Sequence, residues 1–289
     1  MSNITTVIPE RAADIGNFKV GRLLPFRKKR MVGPFVFIDH MGPANMSEDE
    51  NLDVGPHPHI GLSTLTFLFE GSIVHKDSIG TEIEINPGAV NWMTAGKGVV
   101  HSERTPERLR AKKKSLHGLQ IWVALPKELE QMEPSFHHTE ADKLPTWEED
   151  GLTYKLIAGK VFGKESPVPV HSALFFIEIK STKRQVVDCG GELFGESGLY
   201  ILKGAMYSEG HTYEPKQLLV AKEATLCAFE MAANSTIYIF GGKPFPEGRT
   251  IHWNFVSSDK ALIDKARKDW VAQKFPKVPG ETEFVPLPE

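Results

Sequence analysis

The feature that most constrains this chain is its punctuation: short apolar runs recur along it, each closed by glycine, proline, asparagine or aspartate. Residues 18–24 and 34–38 read as strands with the basic stretch 27–30 as the turn between them. Residues 57–70 are extended and rich in Thr, Leu and Phe. They turn through Glu70, Gly71 and Ser72 into a second strand over 73–78, a hairpin signature. Glu82–Ile85 alternates polar and apolar, Asn86-Pro87-Gly88 turns again, and 90–93 and 116–125 complete a first set. After a proline-rich, charged stretch over 127–145 the pattern returns at 153–158, 173–179, 199–203, 218–221 and 236–241.

Such regularly spaced strands without intervening helices call for an antiparallel sandwich or barrel, not a parallel α/β sheet. The fold class is mostly β. The expected division is an N-terminal domain over 1–130, a linker over 131–145 and a C-terminal domain of similar architecture over 146–289. One helix is predicted over 260–271, capped within Ser257–Asp259, with Leu262, Ala266 and Trp270 on the stripe that packs onto a sheet.

A net charge of −3 argues against a general electrostatic grip on nucleic acid, which needs a basic face. Cys189 and Cys227 are too few for a disulfide framework, which fits a reducing cytoplasm, although one bridge between them stays open. Residues 1–20 contain no apolar signal core, and no run of about 18 apolar residues offers a membrane span.

Chemistry concentrates between Gly55 and Glu103. On a strand, residues two apart share a face, so His57 and His59 project together, as do His101 and Glu103. Two such pairs facing across a small barrel would converge on one point. Three imidazoles and a carboxylate suit a divalent transition metal, and both residue types bind in forms available at neutral pH. An octahedral ion would keep two positions open for substrate and dioxygen, so Fe(II) leads, with Mn, Ni, Cu and Zn behind it. His40, His75 and His117 lie in the same half and read as supporting or surface residues, with His117 the first spare ligand candidate. Phe67, Met93 and Ile121 read as core, with lining an aromatic pocket as the lesser role. No GxSxG elbow supports a serine hydrolase, and His171, His211 and His252 are too scattered for a second metal centre.

These motifs carry a family resemblance. Gly55-Pro56-His57-Pro58-His59-Ile60-Gly61, Asn86-Pro87-Gly88, Trp92 to Gly98, His101-Ser102-Glu103 and His117 to Val123 closely resemble the pirin family of the cupin superfamily. The match is strong from Pro34 to about Leu125, whereas Tyr154 to about Phe240 is similar to the family's second domain only in strand pattern. The resemblance implies two tandem cupin barrels (double-stranded β-helix, or jelly-roll) with a short C-terminal helix. It implies iron held in the first barrel by His57, His59, His101 and Glu103, and a second barrel without metal.

The implied activity is a metal-dependent dioxygenase that opens the heterocycle of quercetin-like flavonols, with Glu103 as catalytic base and a small aromatic substrate and dioxygen as partners. The alternative is a non-enzymatic, iron-binding redox sensor that regulates protein partners. A metal serving folding alone is the blandest reading. Two departures stand out: Ser63 and Thr64 occupy the region where cupins often place a metal-binding glutamate, and Ile60 and Ser63 replace a basic and an acidic residue common in the family. The second departure predicts altered pocket polarity.

Overall fold

A computed structural model describes residues 4–15, 18–221 and 228–288. The proposed Cys189–Cys227 bridge lies outside them, because Cys227 is not described. The described residues are mostly β with one α-helix, Lys260–Val271. Among the described residues no helix is long and apolar enough to cross a membrane.

The chain forms two compact units. One takes Arg22–Phe37, Asp142–Phe245 and the start of the chain to Arg11. Its larger sheet runs in the order Ile4–Pro9, Gln217–Ala221, Glu196–Lys203, Ser235–Gly242, Leu174–Ser181, Leu152–Val161, Thr146–Glu149. Alternate residues of these strands (Phe175, Ile177, Leu199, Ile201, Ile237, Ile239) fill its interior as one apolar cluster.

The other unit takes Ala12–Gly21, Ile38–Ala141 and Pro246–Glu289. Its larger sheet places Leu62–Glu70 between Val90–Thr94 and Lys114–Ala124, with Phe35–Met46 beyond. A smaller sheet runs Asp53–His59, Val99–Arg104, Ile73–Asp77, Glu82–Ile85. The extended stretch expected over 57–70 is two strands in different sheets, broken at Gly61. That residue has φ +69, and a Cβ there would sit 1.9 Å from the Val256 carbonyl oxygen. Only glycine takes both the left-handed backbone and the close approach, so the chain turns the corner between sheets at this point.

The stretch expected as a linker is structured. Ser135–Thr139 pairs antiparallel with Val90–Thr94, extending the larger sheet. Proline and charge masked the strand, whose burial nonetheless alternates. The helix has the expected bounds, and the Asp259 carboxylate caps it by accepting from the Ala261 N–H. Its buried stripe is Ile263, Ala266 and Trp270, not Leu262: the side chains meet Ile60, Val100 and Phe255, and that cluster selects the residue one step further round.

Glu130, within the same proline-rich stretch, is 1 % exposed. Its carboxylate accepts from the Ser257 hydroxyl at 2.5 Å and the Ser258 N–H at 2.8 Å, and lies 3.1 Å from Arg249 Nε. Glu130→Gln keeps the shape but removes the charge. Arg249 retains Glu247 at 3.0 Å, so a loss of about 2 kcal/mol is expected in urea unfolding. An unchanged midpoint would mean that the carboxylate's charge contributes nothing there.

Candidate metal centre

Register in the smaller sheet assembles the site. Val99–Arg104 is flanked by Asp53–His59, with His101 opposite His57 and Val99 opposite His59. On its other side is Ile73–Asp77, with His101 opposite Asp77 and Glu103 opposite His75. Opposite the two steps from His101 to Glu103 the neighbouring strand takes three, from His57 to Val54, so a bulge lies on the His57 strand while Val99–Arg104 keeps regular register with Ile73–Asp77.

One ligand atom from each of His57, His59 and His101 lies within 4.8 Å of the others. His59 Nε2 and His101 Nε2 are 3.1 Å apart. Two imidazole nitrogens bound at right angles to one ion at about 2.1 Å would be about 3.0 Å apart, so this pair fits a shared ion. His57 Nδ1 is 2.9 Å from the Gly55 carbonyl. Donation there leaves Nε2 with its lone pair free for coordination.

The three rings are almost closed off, His57 being the most exposed at 8 %. Burial pushes the His57 pKa down to about 4; nearby His75 adds to the shift and the Gly55 carbonyl opposes it. Burial and then the neighbouring His57 hold His59 and His101 well below the ordinary histidine value. The imidazoles are therefore neutral at pH 7, the form that binds metal.

The Glu103 carboxylate is not among the atoms within 4.8 Å of one another. The Thr66 hydroxyl donates to Gln120 Oε1 at 2.8 Å and lies 3.5 Å from Glu103 Oε1. Burial raises the Glu103 pKa, with His75 and Thr66 pulling the other way.

Two surrounding aromatic residues escaped sequence reasoning. Trp122 meets the His59 ring edge-on, with centroids 5.2 Å apart, and Phe136 stacks on His75 at 4.7 Å. Phe136 belongs to the strand hidden in the apparent linker, where Ser135–Thr139 carries one apolar residue and so gave no alternation to read. The spare candidate His117 is paired elsewhere, its Nε2 2.8 Å from His40 Nε2. Phe67, Met93 and Ile121 are buried core residues. The expected change in pocket polarity at Ile60 and Ser63 does not follow. Ile60 is buried in the cluster beneath the helix, and Ser63 hydrogen-bonds the Thr94 hydroxyl at 3.1 Å.

Residues 17–123 match the family described as Pirin, and residues 193–276 match Pirin C-terminal cupin domain. A pirin-like protein of Caulobacter vibrioides is 46% identical, covering 99% of this chain and 100% of its own length. Pirin of Rattus norvegicus is 26% identical over 87% of this chain and 86% of its own. The crystal structure of a quercetin 2,3-dioxygenase from Acinetobacter baumannii superposes with TM-score 0.90 at 34% identity, covering 98% of this chain and 95% of that one.

Proposed function

This chain belongs to the pirin family, and from that premise we propose that it is an iron-dependent dioxygenase opening the heterocycle of a quercetin-like flavonol. The observation that carries the reading is the buried group of three neutral imidazoles with converging ligand atoms. The resemblance to a solved quercetin 2,3-dioxygenase over nearly the whole chain supports the substrate class.

Fe(II), once bound, supplies Lewis acidity and positions for substrate and dioxygen. The residues do the rest. His57, His59 and His101 would hold the ion from two adjacent strands. Glu103, on the same strand as His101 but outside the group of converging atoms, would be the fourth ligand and would accept the flavonol hydroxyl proton. Burial raises its pKa, which makes the ionised carboxylate a stronger base. Trp122 covers one edge of His59, and Phe136 covers His75 behind His101.

The test is oxygen consumption with quercetin by the iron-loaded protein. Turnover is expected for the natural chain and a fall of at least about 100-fold for Glu103→Gln. The rival reading, an iron-binding regulator of a protein partner, uses the same ligands. Full metal binding without oxygen uptake on any flavonol would favour it.

A further inference from the structure

Behind His101, away from the other two metal-site histidines, runs a second set of contacts. His101 Nδ1 lies 3.3 Å from His75 Nδ1, and His75 Nε2 lies 3.1 Å from Asp77 Oδ2. The other carboxylate oxygen of Asp77 accepts from the N–H of Ile79 at 3.1 Å and of Thr81 at 2.9 Å. Asp77 and His75 are fully or almost fully buried, and Phe136 stacks on the His75 ring. The strand Ile73–Asp77 places the two on one face, directly beside Val99–Arg104.

Donor and acceptor counting gives this chain of contacts a direction. An ionised carboxylate accepts only, so His75 Nε2 must carry a hydrogen. A neutral imidazole has one donor and one acceptor nitrogen, so His75 Nδ1 accepts. His101 Nδ1 must then donate, and His101 Nε2, 3.1 Å from His59 Nε2, is left with its lone pair facing the other ligands.

We propose that Asp77 and His75 are positioning residues that set the tautomer of His101, so that the ring offers Nε2 to the metal. This rests on the metal-site reading above but adds residues outside the ligand set. Two backbone N–H groups fix the carboxylate, the carboxylate fixes His75, and His75 fixes His101. Hydrogen bonds of this kind orient ligand rings and raise their basicity.

The isosteric Asp77→Asn variant separates this role from simple packing. The amide oxygen can still accept from Ile79 and Thr81, but its NH₂ turns a donor toward His75 Nε2. His75 must then donate from Nδ1, and His101 must accept at Nδ1 and carry its hydrogen on Nε2, where it blocks coordination.

Two measurements test the idea. In the metal-free natural protein, imidazole ¹⁵N shifts should show His101 protonated at Nδ1, and in Asp77→Asn at Nε2; the Nε2–H form in the natural protein overturns the proposal. Competition with a chromophoric chelator for Zn(II) should show about 10- to 100-fold weaker binding in Asp77→Asn. In a His75→Phe background, which cuts the connection, Asp77→Asn should cost nothing further. Equal losses in both backgrounds would make Asp77 a packing residue and overturn the proposal. If the natural protein takes up no metal, the metal-site reading fails, while the ¹⁵N shifts still decide the tautomer.

Discussion

His101→Ala is expected to leave the purified protein without metal. Elemental analysis after growth with added iron should fall from about one ion per chain to background. His101 sits on the central strand of its sheet, opposite His57, with Nε2 3.1 Å from that of His59. Its removal leaves two imidazoles on a single edge of the site, with Glu103 outside their immediate group. Far-UV circular dichroism of the variant checks that the fold survives, because His101 is almost fully buried. His59→Ala should behave alike. His117→Ala should not, because that ring is paired with His40. Full metal content in either ligand variant would refute the assignment.

The grouping of His57, His59 and His101 was legible because strand period two is rigid. Once His-x-His and His-x-Glu fall on neighbouring strands, geometry leaves their side chains little freedom. Glu103 follows the same period as His101, but strand period alone does not bring its carboxylate in, and it is not among the converging ligand atoms. Asp77 was invisible because its role depends on which strand lies beside Val99–Arg104, a long-range fact with no local signature. The same limit hid the assignment of 246–289 to the unit that holds the histidines. Nothing in the composition of that tail says that Phe255 and Trp270 will pack on Ile60. The break at Gly61 was missed because the reason it must be glycine is Val256, far away in sequence.

Burial of the metal-site histidines also makes a large pH effect inevitable in the chelated, metal-free protein. An unfolded chain binds protons at these imidazoles near pH 6.5, whereas folded His57 refuses one until about pH 4. Between those values the unfolded state holds more protons, so acid favours unfolding; above pH 6.5 the two states agree and stability is flat with respect to these groups. His57 alone accounts for about 3 kcal/mol across that window. His59 and His101, displaced in the same direction, steepen the fall. Urea midpoints measured from pH 7.5 to pH 4 should drop accordingly, and His57→Phe should flatten the slope even if it changes the stability at pH 7.5. Saturating Zn(II) should hold the midpoint up in the upper part of the window, because metal and protons compete for the same lone pairs and the depressed pKa values favour the metal. A metal-free midpoint that does not move between pH 6.5 and pH 4 would mean that the rings are hydrated in solution and the site is open.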